Sequence, residues 1–350
     1  MRYFLAFILG IALSVGAAVG APAGEITVAF IPKLTGNAFF DAANAGAQRY
    51  AARHGFAVRY AGMPEASVEN QAAVIREAVE QGADALCISS VDATMLDDAM
   101  RAAMRSGVKT VTWDSDVSGD ARTVMVSQGT PEILGQMLVD MAAKSLKARG
   151  LNPERDEIRY VWHYSQSTVA DQNSWNLEGE AYIQGRYPGW VNVAPTNYYS
   201  EQNSDLSVTV GTAILKNHPG IDLVICNDST ALPGQCEAVK RLGLGKNDIT
   251  ITGFASPNPI KEYCRDGIIE RWGLWDCQVQ GAMGCYLAFR LAAGDAIRVG
   301  DTLDIPDIGR VEVLPNTVLD PAAYTAADSG VVLLPERLEF TAENMNQYDF

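Results

Sequence analysis

The sequence is poor in residues that do chemistry. Its 350 residues hold three histidines, His54, His163 and His218, and these are scattered. His54 and His218 stand beside a helix-ending Gly and Pro, where a surface or packing role is the ordinary one. There is no GxSxG elbow, no phosphate-cradling P-loop, no GxGxxG after the first apolar strand and no HExxH pair. The usual signatures of acyl transfer, nucleotide binding and zinc hydrolysis are therefore missing. The six cysteines, Cys87, Cys226, Cys236, Cys264, Cys277 and Cys285, form no CxxC and no Cys/His metal spacing. No cofactor, metal or catalytic residue is expected. There is no block of Lys and Arg, and the formal net charge is −15, so a nucleic-acid partner is excluded on charge. Past the amino-terminal segment, no apolar run is long enough to span a bilayer.

What is present begins at the amino terminus. Met1-Arg2 gives a short positive start, Tyr3 to Gly20 is apolar and small, and Ala21-Pro22-Ala23 has the small-x-small pattern of a signal-peptidase site. No positive stop-transfer flank follows, so residues 1–23 are expected to be a cleavable export signal rather than a membrane anchor. Its removal takes away Arg2 only and leaves the mature chain one charge more negative. Export permits disulfides, and the pairing of the six cysteines stays open. Cys87 and Cys226 lie in apolar strand patterns and read as buried thiols.

The rest is ordinary globular sequence, 48% hydrophobic and 20% charged. One unit recurs: an amphipathic helix, a Gly, then an apolar strand. It appears at Gly55 before Phe56–Tyr60, at Gly82 before Ala85–Ser89, at Gly107 before Val108–Trp113, at Gly220 before Leu223–Cys226 and near Gly245 before Ile249–Phe254. Continuous apolar strands alternating with helices predict an α/β fold of doubly wound, Rossmann-like parallel sheets. About ten such strands are too many for one sheet of this kind, so two lobes are expected. Softer stretches near Ser127–Thr130, Ala255–Pro259 and Ile308–Pro315 suggest three crossings between them. That assigns 24–127 plus 257–312 to an N-terminal lobe and 128–256 plus 313–350 to a C-terminal lobe.

In open parallel sheets, ligands bind beyond the carboxyl ends of the strands. The residues at those ends are Lys33, Asn37, Phe39 and Phe40, then Ser90, then Trp113 and Asp114. The second half adds Asp171 and Gln172, then Asn227, Asp228 and Ser229, then Ser256. Carboxylates, amides and a Lys can pair with vicinal hydroxyls, while the faces of Phe40 and Trp113 can cover the apolar side of a sugar. Taken singly, Asn, Asp and Ser at strand ends also serve as caps and turns. Asp114 and Asp116 form an i, i+2 pair that suits hydroxyl binding as readily as acid/base work. The expected ligand is a small sugar-like molecule.

These residues carry a resemblance. Phe30-Ile31-Pro32-Lys33-Leu34, Thr112-Trp113-Asp114-Ser115-Asp116, Gln128-Gly129-Thr130-Pro131 and Asp171-Gln172-Asn173 resemble the type I periplasmic binding proteins of the ribose and galactose kind. So do Gly273-Leu274-Trp275-Asp276, Val331 to Arg337 and the terminal Tyr348-Asp349-Phe350. Within that family the likeness is to the autoinducer-2-binding proteins of Lsr-type importers. It implies two lobes joined by three crossings and closing on a cyclic, hydroxylated furanosyl ligand. It further implies a periplasmic location, a membrane ABC permease as partner, and a monomer without catalysis. The family's ligand-contacting Lys matches Lys33, its Asp after the fourth strand matches Asp114, and its Asp-Gln pair matches Asp171 and Gln172. Two further family contacts come from a Pro and an Ala flanking an Asp. Here Asn227 and Ser229 stand in those places around Asp228, which makes rhamnose or another monosaccharide the alternative ligand. A sugar-sensing repressor would need a helix-turn-helix before the first strand. A periplasmic enzyme would need an acid/base pair. A carrier read by a chemoreceptor is compatible with the same residues.

Overall fold

The structure, a computed structural model, describes residues 25–350. The export signal expected over residues 1–23 lies outside the described residues. In chain order, the first half runs β1 (Thr27–Ile31), α1 (Ala38–His54), β2 (Ala57–Tyr60), α2 (Val68–Glu80), β3 (Ala85–Ile88), α3 (Asp97–Arg105), β4 (Lys109–Trp113) and β5 (Val124–Ser127). Then come α4 (Pro131–Ala148), β6 (Ile158–Tyr164), α5 (Ala170–Arg186), β7 (Trp190–Asn192), β8 (Tyr198–Tyr199), α6 (Ser204–Asn217), β9 (Leu223–Cys226), α7 (Ala231–Arg241) and β10 (Thr250–Gly253). The last part holds α8 (Pro257–Arg265), β11 (Trp272–Leu274), α9 (Cys277–Ala292), β12 (Thr302–Ile305), β13 (Gly309–Glu312), β14 (Leu314–Pro315), β15 (Gly330–Leu333) and β16 (Leu338–Phe340).

The local signals act as their chemistry dictates. Gly55 ends α1 at φ 76°, a left-handed turn that costs glycine no Cβ clash. Ser67 caps α2 by accepting from the Asn70 amide, and Pro131 opens α4 where its missing N–H is not needed. Strands β1, β3 and β9 are buried along their whole length or nearly so, as expected for sheets covered on both faces.

The strands divide between two main sheets. A seven-stranded sheet has the order β14-β15-β5-β4-β3-β1-β2, and a five-stranded one runs β10-β9-β6-β7 with β8 paired to β6. Except for β14, pairing in both is parallel. These are two Rossmann-like lobes. Strand β11 continues the second sheet through a Phe254–Gly273 bridge and pairs antiparallel with β16.

The chain passes between lobes after β5, again between β11 and α9, and a third time between β15 and β16. The last two passages correct the expected segments. Ala255–Pro259 does not lead to the first lobe: Ser256 and Pro257 open α8, which packs on α7. Ile308–Pro315 is the second arm of the β12–β13 hairpin followed by an edge strand, with Asp307 at φ 61° in its turn. Residues 257–274 therefore stay with the second lobe. Strand β15, assigned by sequence to the second lobe, instead pairs with β5 in the first.

Helices α1 and α9 pack closely enough that only glycine fits between them. A Cβ on Gly46 would lie 2.2 Å from the Gln278 carbonyl oxygen, and one on Gly281 would lie 2.3 Å from that of Ala43. This contact fixes the start of α1, with Phe39 and Phe40, against the start of α9, beside Trp275. All six cysteines are buried free thiols.

Candidate ligand-binding site

The strand ends of the first lobe converge on one ion pair. Lys33, just past β1, donates from Nζ to Asp114 Oδ2 at 2.7 Å, and both side chains are buried. Asp114 follows β4 at φ 61°, a left-handed conformation that Asp tolerates better than most residues. Its Oδ2 also accepts from Ser89 Oγ at 2.6 Å, and its carbonyl accepts from Gln128 Nε2 at 3.1 Å. Gln71 of α2 braces this edge from behind. Its Nε2 donates to the carbonyls of Pro32 and Ser89, and its Oε1 accepts from the Val91 amide. Burial works against the charge of Lys33, but Asp114 and then Asp171 outweigh it and hold the ammonium above its ordinary value.

The second lobe presents an amide–carboxylate chain. Gln172, in the first turn of α5, accepts at Oε1 from the amide and hydroxyl of Ser165, at 3.2 and 2.5 Å. Its Nε2 donates to Asp228 Oδ2 at 3.4 Å. Asp228 Oδ1 accepts from the amides of Thr230 and Ala231 at the start of α7. Burial raises the Asp228 carboxyl against the pull of those amides. Asn227 donates from Nδ2 to the Gln172 carbonyl at 2.8 Å, and its buried Oδ1 has no partner among the described residues.

These groups face one small cavity between the lobes. It is lined by Lys33, Phe39, Phe40, Asp114, Gln172, Asn227, Asp228 and Ser229, all named from the sequence. Five further lining residues escaped the sequence reading: Trp175, Gln202, Phe254, Leu274 and Trp275. The rings form a continuous wall. Phe39 meets Trp275 edge-on at 5.9 Å, and Trp175 meets Trp275 at 5.9 Å and Phe254 at 5.6 Å. Polar groups at one side and ring faces at another suit a molecule with hydroxylated and apolar aspects.

Five sequence-named residues lie off this lining. Trp113 does not cover the cavity. It is 0% exposed and stacks on Phe30 at 4.7 Å beneath the wall, because its position on β4 turns it toward α1 and α9. Ser90 donates to the Asp92 carbonyl, and Ser256 stands at the N-cap position of α8 without a capping bond from its hydroxyl. Asn37 caps α1 by accepting from the Phe39 amide and reaches across to Thr230 Oγ1 at 3.4 Å. Asp171 stands at the seam between lobes: its Oδ1 accepts from Ser115 Oγ at 2.6 Å, and it lines a larger groove that adjoins the cavity. Burial pushes the Asp171 carboxyl up to about 6 against the pull of Lys33, and the charge of Asp114 adds to the rise.

The comparisons with known proteins agree with this geometry. Residues 28–296 match the periplasmic binding protein domain. LsrB from Clostridium saccharobutylicum, solved in complex with AI-2, is 60% identical, covers 93% of this chain and 100% of its own, and superposes with a TM-score of 0.92. An ABC transporter solute-binding protein from Clostridium phytofermentas with bound L-rhamnose is 20% identical over 93% of this chain and 98% of its own, with a TM-score of 0.82. A carbohydrate transporter solute-binding protein from Agrobacterium radiobacter in complex with D-arabinose is 19% identical over 92% and 96%, with a TM-score of 0.76. The last two speak for the fold alone. Two parallel-sheet lobes around a polar, ring-walled cavity, with a family match over most of the chain, place this protein among the type I periplasmic binding proteins of the Lsr kind.

Proposed function

We propose that this chain is the periplasmic solute-binding component of an ABC importer, and that it captures autoinducer-2 or a closely related small cyclic sugar by closing its lobes. The observation that carries the reading is the buried set Lys33, Asp114, Gln172 and Asp228, drawn from both lobes onto one small ring-walled cavity. Such a site is complete only when the lobes meet, so a ligand that bridges them stabilises the closed form by its differential affinity. Asp171 would join the set on closure around ligand. The relative at 60% identity supports the ligand class. Residues 1–23 would direct export. The mature monomer would hand its ligand to a membrane permease without altering it.

Isothermal titration of the mature protein with autoinducer-2, L-rhamnose and D-ribose tests the reading, with mass spectrometry of the ligand afterwards. Saturable binding of autoinducer-2 and recovery of the unchanged molecule are expected. Turnover of the sugar, or binding of none of the three, overturns the proposal. L-Rhamnose is the second ligand to test, because Asn227 and Ser229 add polar atoms where the look-alike proteins carry Pro and Ala.

A further inference from the structure

Gln202 is held in an unusual conformation. It follows β8 in a tight turn where Glu201 and Gln202 stand at φ 50° and 57°, consecutive non-glycine residues in the left-handed region. An L side chain adopts that conformation reluctantly, so the surroundings must impose it. Here they do. The Ser200 amide donates to the Tyr164 carbonyl at 2.8 Å and the Glu201 amide to that of Ser165 at 2.7 Å. On the other side, Asn203 caps α6 by accepting from the Leu206 amide. The turn is thus pinned to the end of β6 and to the start of α6, and Gln202 projects between them.

The result is a residue 7% exposed that lines the cavity and whose Nε2 has no hydrogen-bond partner among the described residues. Its neighbours along the lining each spend one donor hydrogen inside the protein. Gln172 spends its Nε2 on Asp228, Asn227 spends its Nδ2 on the Gln172 carbonyl, and Lys33 donates to Asp114. The other polar groups there are the acceptors of Asp114, Asp228 and Asn227 Oδ1, beside the remaining Lys33 hydrogens and the Ser229 hydroxyl. Acceptors select hydroxyl hydrogens, but a ring ether or carbonyl oxygen carries none and needs a donor.

We infer that Gln202 is a specificity-determining ligand contact whose Nε2 donates to an accepting oxygen of the bound sugar. The inference rests on the proposed binding function and deepens it. Without that oxygen, a buried donor is left unpaired on closure, and such a ligand is rejected.

Q202E keeps the shape and replaces the donor with another acceptor, and Q202G relieves the left-handed strain while removing the side chain. Titration of both variants against autoinducer-2 and L-rhamnose, with thermal melts alongside, separates the roles. Each variant should lose on the order of tenfold or more in affinity for whichever sugar the unmodified protein binds. Q202G should melt at the same temperature or higher, opposite to the loss of a residue that merely holds the turn. Affinity within about twofold of the unmodified protein in both variants overturns this inference alone. An unmodified protein that binds neither sugar overturns the proposed function and this inference together.

Discussion

Lys33 and Asp114 lie 81 residues apart and form a buried ion pair with Nζ to Oδ2 at 2.7 Å. Neither charge is tolerable there without the other. Asp114→Ala removes a ligand acceptor and also leaves the Lys33 ammonium uncompensated. The variant should lose about 3–5 kcal/mol of stability as well as ligand affinity, because breaking a buried pair strands its partner. Chemical denaturation measures the first loss and calorimetry the second. Unchanged stability would mean that Lys33 finds another partner.

Asp171 gives a test by pH. A carboxyl raised to about 6 in the folded protein binds its proton earlier than in the unfolded chain, where its value is about 4. Its contribution to stability is full below about 4 and is lost as pH rises through about 6. His163 works in the opposite sense: burial pushes it down to about 4 despite its hydrogen bond to Gln235, so its contribution is lost as pH falls from about 6.5 toward 4. Only a difference between variants isolates Asp171. Asp171→Asn should gain thermal stability relative to the unmodified protein as pH rises from 4 to 6. A difference that is flat with pH removes the argument.

Selectivity should move with Asn227 and Ser229. Asn227 ties Gln172 through its Nδ2 but leaves its Oδ1 without a partner, and Ser229 lines the cavity. The double change Asn227→Pro with Ser229→Ala should shift preference toward autoinducer-2 over L-rhamnose, since each unmatched polar group costs about 1–3 kcal/mol. An unaltered ratio of affinities in a folded variant would separate these two positions from ligand choice.

The tight α1–α9 contact predicts a loss of stability. Gly281→Ala forces a Cβ toward the Ala43 carbonyl and should cost about 1–3 kcal/mol in a thermal or denaturant melt. Because this contact sets the placement of Phe39 and Phe40, affinity should fall with it.

Much of the candidate cavity's lining was legible because the rule that ligands meet strand ends names Lys33, Asp114 and Asn227 to Ser229 from pattern alone. The same rule also covered Phe254, just past β10, and Leu274, which ends β11, but a search for polar groups passes over them. Trp175 was hidden because a ring in the first turns of a helix looks like core. Gln202 was hidden because nothing in a Ser-Glu-Gln-Asn run announces a left-handed turn. Trp113 shows the converse: it ends a strand but faces inward, since alternation along β4 decides its side. The last two crossings were misplaced for a topological reason. Strand β15 lies beside β5, far earlier in the chain, and no local pattern encodes that pairing.

The burial of every thiol has a practical consequence. A dye that reacts with exposed sulfhydryls would find none of the six native cysteines at the surface. Leu177 on α5 and Tyr324 before β15 are 67% and 49% exposed and line the same interlobe groove from opposite lobes. A cysteine introduced at either place would be a unique attachment point, and a fluorophore there would report the approach of the opposing wall. The molecule is thus arranged to become a reagentless optical sensor for its own ligand after one substitution.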